Sequence, residues 1–408
     1  MKNMRITFPI LFLFMGLLSC AQTPPQGLKE IKSKGKNDVP IVPGAQRTSA
    51  YIPKISGKAV AIVANQTATV GTLHLVDSLQ HLGINIKKVF APEHGFRGDI
   101  EGGEKFSNYK DAKSGLQVIS LYGNHTAPTA AELTDVDVVI FDIQDVGVRF
   151  YTYLSTLHYV MQSCAENNKI LMILDRPNPN GFYVDGPVLD MNYASFVGVD
   201  PVPVVHGCTM GEMAKMINGE KWLKNGVQCT IDVIPCTGWT HSDFYIPPIP
   251  PSPNLRTLAA IYLYPSLGLF EGTMVSVGRG TDQPFETIGF PGFKNGTLKF
   301  TPKSMRGIAE HPPYLETECK GINLRQFGEV YIRNIKSLYL FWLKGMYEDY
   351  PEKTKYFNSY FNSLAGNNKL QDQVITGKSE EEIRKSWEPE LGKYKEMRKK
   401  YLLYPDFE

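Results

Sequence analysis

Lys88-Val89-Phe90-Ala91-Pro92-Glu93-His94-Gly95-Phe96-Arg97-Gly98 joins an apolar strand to a short run of ionisable side chains. Pro92 has no backbone N–H for a β-ladder, so the strand ends there. The two glycines permit a tight backbone that can approach a ligand closely. The pattern predicts that Glu93, His94 and Arg97 project from a strand end that forms a functional edge. The alternative is a polar loop whose charges pair with each other.

The sequence on both sides of this stretch repeats a strand and helix pattern. Residues 59–63 form a continuous apolar run, which is typical of a strand buried on both faces. Further strands are predicted at residues 86–90, 117–121, 136–141 and 170–174. Helical spacing over residues 72–82 and 151–167 separates some of these strands. The alternation predicts an α/β fold with a Rossmann-like parallel sheet and right-handed crossovers.

Acidic residues follow three of the predicted strands. Glu93 follows the second strand, Asp142 and Asp145 follow the fourth, and Asp175 follows the fifth. Ligands of open α/β sheets bind at the carboxyl ends of the strands. We therefore expect these acids to share a polar cleft.

Two later stretches have the composition of walls around such a cleft. Residues 246–256 carry five prolines and cannot form a central strand, so they predict a rigid wall or crossover. Residues 270–286 combine glycines, acids and Arg279, which predicts a second loop lining the site. His206 precedes a capping box at Thr209 and Glu212; it is either a site residue or a satisfied core histidine.

The first twenty residues have the pattern of an export signal. Lys2 and Arg5 precede an apolar run over residues 6–18, which is too short to span a bilayer as a helix. Leu17-Leu18-Ser19-Cys20 fits the bacterial lipobox, in which the cysteine becomes the lipidated first residue, while Ser19-x-Ala21 fits ordinary signal peptidase. Both alternatives predict an exported, periplasmic protein, and the first adds a lipid anchor on the cysteine.

Length and charge define the remaining organisation. The 408 residues exceed what one core holds, and the chain becomes more charged from about residue 292. We expect a lipoprotein-type signal peptide (1–20), a tether and entry segment (21–55), a Rossmann-like catalytic domain (56–290) and a smaller α/β (α+β) C-terminal domain that closes the cleft (291–408). The 43 basic and 41 acidic residues form no basic stripe, which argues against a nucleic-acid partner. Membrane attachment is expected only through a lipid on Cys20.

Several common chemistries lack their sequence signatures. No G-x-G-x-x-G or P-loop follows any predicted strand, so no nucleotide cofactor is expected, and no G-x-S-x-G elbow is present. Glu93, His94, Asp142, Asp175 and His206 could ligate a metal, as in a cell-envelope amidase or phosphoesterase, although their spacing is not diagnostic. The alternative is hydrolysis by paired carboxylates, as in glycosidases. A non-enzymatic alternative is an exported sugar-binding lipoprotein.

Four motifs carry a family resemblance. They are residues 92–98, 142–153, 175–181 and 271–286. In this order they resemble the exo-β-N-acetylmuramidase family, and the similarity extends from about residue 58 to the C-terminus. The resemblance implies a glycoside hydrolase that releases N-acetylmuramic acid from the non-reducing ends of peptidoglycan fragments. It also implies a Rossmann-like domain and a smaller domain with the site between them, no cofactor and no metal, and muramyl saccharides as partners.

The resemblance also implies roles for individual residues. Glu93 is the expected general acid, and the second group is either Glu286 or the substrate acetamido group oriented by Asp142 or Asp145. A planar guanidinium can bind the lactyl carboxylate of muramic acid in a bidentate manner. The expected substrate-binding residues are His94, Arg97, Gln144, Arg149, Tyr151, Arg176, Asn178, His206, Arg279 and Asp282. Val205 and Met274 depart from the family pattern, which has a basic residue and Asn there.

Overall fold

A computed structural model describes residues 39–408. The predicted signal peptide, the lipobox and residues 21–38 of the predicted tether lie outside this range. The strands are β1 (Ala59–Ala64), β2 (Thr69–Val70), β3 (Leu73–His74), β4 (Asn85–Ala91), β5 (Tyr109–Lys110), β6 (Gln117–Ser120), β7 (Val138–Asp142), β8 (Ile170–Leu174), β9 (Asp185–Val188), β10 (Pro203–Val205), β11 (Thr230–Ile234), β12 (Thr287–Phe290), β13 (Leu298–Phe300) and β14 (Cys319–Asn323).

The helices of the same range complete the inventory. They are α1 (Thr48–Ile55), α2 (Leu75–His81), α3 (Ala130–Leu133), α4 (Tyr153–Glu166), α5 (Met210–Gly219), α6 (Leu258–Leu267), α7 (Arg325–Val330), α8 (Ile332–Ile335), α9 (Phe341–Asp349), α10 (Phe361–Ala365), α11 (Lys369–Ile375) and α12 (Glu380–Lys399). Among these residues no helix is both long and apolar enough to cross a membrane.

A seven-stranded sheet in the order β11-β8-β7-β1-β4-β6-β5 confirms the predicted α/β architecture. All neighbouring pairs are parallel except β5 and β6, which are antiparallel at one edge. Each of the five predicted strands is a strand of this sheet. A strand of this kind can be apolar throughout because both of its faces are covered.

The alternation of side chains along β1 shows how the two faces are covered. Val60 and Ile62 point into a core cluster that includes side chains of α1 and α2. Ala61 and Val63 point into the other cluster, which includes side chains of α4 and α5. Successive side chains of a strand project to opposite faces, so one strand contributes to both cores.

Two predicted helices begin later than their apolar spacing indicates. β2 and β3 form a hairpin around Gly71, so α2 begins only at Leu75, where the His74 side chain accepts a hydrogen bond from the Val76 N–H. α4 begins at Tyr153 rather than at residue 151. The predicted capping box before α5 is present, with the Thr209 and Glu212 side chains each bonded to the other's backbone N–H.

The C-terminal part contains an antiparallel sheet in the order β12-β14-β13 and the helices from α7 onward. Its helices contribute Trp387 and Tyr394 to the same core cluster as Leu171 of β8, so the described chain packs as one compact unit. The boundary between residues 290 and 291 stays a prediction. From α12, the Arg398 guanidinium donates to the Gly207 carbonyl, which fixes the helix against the loop before α5.

Candidate active site

A cavity of about 430 Å³ opens where β4 ends and α4 begins. Glu93 and His94 lie in the loop after β4, Thr152 is the residue before α4, and all three line the cavity. The other lining residues are Gly102, Gly103, Tyr122, Phe150, Tyr151, Ser195, Phe196, Val197, Ser252, Asn254, Leu255, Tyr264, Glu271, Arg279, Phe285, Tyr360 and Ser363. Both predicted wall segments, residues 246–256 and 270–286, therefore contribute to the cavity.

The Glu93 carboxylate is held by donors from two separate segments. Its Oε1 accepts the Gly103 backbone N–H at 2.7 Å, and its Oε2 accepts the Thr152 hydroxyl at 2.6 Å. Thr152 occupies the N-cap of α4 without capping it, so its hydroxyl is available to Glu93. The positive end of the α4 dipole is next to the same carboxylate. Tyr122 lines the cavity beside Glu93, and burial together with the Glu93 charge raises the pKa of its hydroxyl.

His94 is fixed in a strained conformation beside this carboxylate. Its backbone φ is 70°, a region that non-glycine residues occupy at a cost and mostly at functional sites. Nδ1 lies 3.1 Å from the Ile100 carbonyl oxygen, so this nitrogen carries the proton and Nε2 is an acceptor. Burial lowers the pKa of His94, which favours the neutral imidazole.

A second carboxylate, that of Glu271, lines the same cavity from a later segment of the chain. Glu271 Oε1 accepts from Arg279 Nε at 2.9 Å and from the terminal nitrogen Nη2 at 2.6 Å. The Arg279 guanidinium also lies 5.3 Å from the Phe285 ring centroid. Phe285 has a positive φ of 58°, so a second strained residue contributes to the cavity wall. Arg279 has five N–H donors, and Glu271 engages two of them.

Aromatic rings form much of the remaining wall. Tyr264 packs edge-on against Phe150, Tyr151 and Phe285, with ring centroids 5.0 to 5.7 Å apart. Rings of this kind pack against the apolar faces of a sugar while their edges fix its orientation. Of the predicted site residues, the cavity thus brings together Glu93, His94, Tyr151 and Arg279.

The acids after β7 and β8 do not line this cavity. Asp142 is fully buried and accepts from Arg176 Nε at 2.5 Å and Nη2 at 2.9 Å. Asp175 accepts from the Thr209 hydroxyl, the Gly211 N–H and the Tyr404 hydroxyl, and burial raises its pKa to about 6. Because β1 lies between β4 and β7, the end of β7 is two strand positions from the end of β4, about 10 Å, and the end of β8 is one position further away.

Asp145 and His206 form a separate buried pair. The Asp145 Oδ2 lies 3.8 Å from His206 Nε2 and accepts the Gly147 N–H at 2.5 Å. Burial raises the pKa of Asp145 to about 7 and lowers that of His206 to about 3. The Cys208 N–H donates to His206 Nδ1, so the imidazole proton lies on Nε2, facing Asp145. Neither residue lines the cavity.

The other predicted residues have structural partners outside the cavity. Buried Arg149 donates to the carbonyls of Pro187, Val202 and Leu364, and burial lowers its pKa to about 9. Gln144 donates to the carbonyls of Asp145 and Pro177.

Four further predicted site residues also lie outside the cavity. Arg97 pairs with Asp111, Asn178 donates to the Cys208 carbonyl, and Asp282 is exposed. Buried Glu286 accepts from the Thr257 hydroxyl and from Arg325 Nε. The divergent positions Val205 and Met274 do not line the cavity either. Within residues 39–408 no group of three or more His, Cys, Asp or Glu side chains could hold a metal ion.

Several cavity residues were not identified by sequence reasoning. Glu271 lies in a stretch that was expected to line the site, but its role was not distinguished from that of Glu286. Thr152 lies in the 142–153 motif but was assigned no role, and Tyr122 and Tyr360 lie in loops whose aromatic residues have no diagnostic spacing. The apolar spacing placed the helix start at residue 151, so Thr152 was assigned to the helix and its position at the N-cap was not predicted.

Comparisons with known proteins identify the family. The chain matches the N-terminal model of exo-beta-N-acetylmuramidase NamZ over residues 60–259 and the C-terminal model over residues 262–404. It is 34% identical to the peptidoglycan beta-N-acetylmuramidase NamZ of Bacillus subtilis strain 168, over 99% of this chain and 100% of the relative.

Two crystal structures from Bacteroides fragilis, both described as DUF1343 family proteins, have the same fold. One is 44% identical with a TM-score of 0.83, and the match covers 90% of this chain and 99% of that one. The other is 26% identical with a TM-score of 0.77, covering 89% and 99%. Both family models and a full-length relative agree, and the chain belongs to the exo-beta-N-acetylmuramidase NamZ family.

Proposed function

We propose that this protein is an exo-acting glycoside hydrolase that releases N-acetylmuramic acid from the non-reducing ends of peptidoglycan fragments. The observation that carries the proposal is the cavity in which Glu93, Glu271 and Arg279 meet aromatic walls. Family membership and the printed activity of the Bacillus subtilis relative support the same reaction. The proposal makes Glu93 the general acid, as a glycosidase needs a proton for the leaving oxygen.

The hydrogen bonds of Glu93 indicate which oxygen delivers that proton. The Gly103 N–H can only donate, so Oε1 remains an acceptor. The proton of the acid form therefore belongs on Oε2, beside the Thr152 hydroxyl, which can rotate from donor to acceptor. As the glycosidic bond breaks, this proton moves to the leaving oxygen and Glu93 regains the carboxylate form that Gly103 and Thr152 stabilise.

Glu271 supplies the second carboxylate of the pair in this proposal. It faces the same cavity, and its ion pair with Arg279 balances its charge. It acts on the anomeric carbon or on the attacking water, while the remaining N–H groups of Arg279 bind the lactyl carboxylate of muramic acid. The assignment is supported by the shared cavity, which Glu93 and Glu271 line together with Tyr264, Tyr360 and Arg279.

The dependence of the hydrolysis rate on the leaving group tests the proposed roles of Glu93 and Glu271. The protein is incubated in EDTA with aryl β-N-acetylmuramides, and in parallel with the matching N-acetylglucosaminides. We expect release from the muramides alone. Glu93→Gln is expected to lower kcat about 10²–10⁴-fold for a poor leaving group and far less for a dinitrophenyl group, which needs no proton. Glu271→Gln should slow both leaving groups alike. Full activity of Glu93→Gln on the poor leaving group would contradict the mechanism.

We also propose that the protein is exported to the periplasm and anchored by a lipid on Cys20. The support is the signal-like segment and the lipobox in the sequence. Metabolic labelling with a radioactive fatty acid tests the anchor, with Cys20→Ser as the control. Label in the natural protein and not in the variant is expected. An exported but unlabelled natural protein would favour cleavage after Ala21.

A further inference from the structure

A second cavity of about 250 Å³ lies next to the first, and one side chain is common to both. Tyr122 lines the first cavity together with Glu93 and lines the second together with Lys105, Asn108 and Asn124. Because both cavities are lined by Tyr122, they are neighbours, and Glu93 lines the first cavity next to this shared residue.

The loop that follows Glu93 connects the same two spaces. Gly102 and Gly103 line the first cavity, and Lys105 and Phe106 line the second. The Gly103 N–H donates to Glu93 Oε1, so the loop passes from the candidate acid directly into the second cavity.

The polar groups of the second cavity are positioned by close packing. A Cβ at Gly123, where φ is 81°, would come within 2.8 Å of Lys105 Cγ, so the lysine stem lies flat on this glycine. The ammonium then donates to Asn124 Oδ1 at 3.0 Å. This bond orients the Asn124 amide and leaves its N–H donors, together with two of the three on Lys105, available to a ligand.

We propose that this second cavity is the subsite for the leaving sugar, the residue on the reducing side of the bond that is cleaved. The inference rests on the proposed function, because an acid at Glu93 places the glycosidic oxygen beside it and the substrate must continue past that point. A hexosamine residue presents hydroxyl and acetamido oxygens, which accept from Lys105 and Asn124. Its apolar face matches the Phe106 ring.

The test compares two substrates that share the muramic acid residue and differ in the leaving group. One is the disaccharide of N-acetylmuramic acid and N-acetylglucosamine; the other is an aryl β-N-acetylmuramide. Lys105→Met keeps the stem that packs on Gly123 and removes the ammonium, and Asn124→Ala removes the amide. Each variant is expected to lower kcat/KM for the disaccharide about tenfold, mainly through KM, as loss of a hydrogen bond involving a charged group would.

The same variants should affect cleavage of the aryl muramide much less than that of the disaccharide, because an aryl group lacks the hydroxyl and acetamido oxygens that accept from Lys105 and Asn124. Lys294→Met, at an exposed lysine outside both cavities, is the matched control and should leave both rates unchanged. An unchanged ratio of disaccharide to aryl rates in Lys105→Met and Asn124→Ala, with the aryl substrate still cleaved, overturns the subsite and leaves the proposed function intact. Failure of the natural protein to cleave the aryl muramide overturns the proposed function itself.

Discussion

The Arg176 guanidinium binds both carboxylate oxygens of Asp142 between the ends of β7 and β8, and both side chains are shielded from solvent. Arg176 also donates to the Thr69 carbonyl at 3.2 Å, so the ion pair ties the hairpin of β2 and β3 to the parallel sheet. The pair has the properties of a structural link, since each charge depends on the other for compensation in a buried environment.

Removing one partner of this pair should be strongly destabilising. Arg176→Met leaves the Asp142 carboxylate buried and uncompensated, and we expect the free energy of unfolding to fall by about 3–5 kcal/mol. Urea denaturation followed by circular dichroism measures the change. The double variant Asp142→Leu with Arg176→Met should recover much of the loss. A single variant as stable as the natural protein would contradict a structural role for the pair.

The contact between Thr152 and Glu93 predicts a kinetic effect without a change in fold. Thr152→Val keeps the shape of the side chain and removes the hydroxyl that Glu93 Oε2 accepts. We expect kcat to fall about tenfold with a nearly constant KM, because the lost bond serves the acid and not the sugar. Steady-state kinetics on an aryl muramide measure this, and Thr134→Val at an exposed site is the control. A rise in KM alone would show that Thr152 binds substrate instead.

Discrimination between muramic acid and glucosamine should depend on Arg279. Arg279→Lys keeps the positive charge next to Glu271 but cannot offer a planar pair of donors to the lactyl carboxylate. We therefore expect KM for the muramide to rise about ten- to a hundredfold, with a smaller change in kcat. Steady-state kinetics on the muramide, and inhibition by free N-acetylmuramic acid and free N-acetylglucosamine, are the measurements. An equal loss of affinity for both free sugars would exclude recognition of the lactyl group by Arg279.

The raised pKa of Asp145 predicts in which direction the stability of the folded protein changes with pH. Burial raises its pKa in the folded protein to about 7, from an ordinary value of 3.8. Between these pH values the folded protein keeps a proton that the unfolded chain has released, so the contribution of Asp145 to stability declines as pH rises. His206 nearby acts in the opposite sense between about pH 3 and its ordinary value of 6.5, since its folded pKa is lowered.

Asp145→Asn isolates the contribution of this carboxyl group. The amide oxygen can still accept the Gly147 N–H, and the side chain no longer titrates. Relative to the natural protein, the variant should gain up to about 1.4 kcal/mol of stability per pH unit between pH 4 and 7. Urea unfolding of both proteins at several pH values gives the difference. Parallel pH profiles would mean that the Asp145 carboxyl group has an ordinary pKa.

The sheet could be predicted from the sequence because its signal is local. β1 and β8 are apolar throughout, and the order of strands and helices selects a parallel sheet. The position of Glu93 could be predicted for the same reason, since Pro92 ends β4 and projects the next side chain at the functional edge.

The grouping of the acids could not be predicted, because strand order in space is not a local property. The sequence does not reveal that β1 separates β4 from β7, so Asp142 was expected to lie beside Glu93. Nor does it reveal that Arg325, which follows β14, neutralises Glu286 and leaves Glu271 as the acid that faces the cavity. Such choices depend on partners far apart in the chain.

The hydrogen bond from the Tyr404 hydroxyl to Asp175 joins two groups that are 229 residues apart in the sequence. The same hydroxyl accepts the Cys236 N–H, so the segment after α12 is bonded to the ends of both β8 and β11. Contacts of such high sequence separation close long loops, and the entropy of that closure slows folding. The folding rate of this α/β sheet therefore depends on contacts from the far end of the C-terminal part as well as on its own strands.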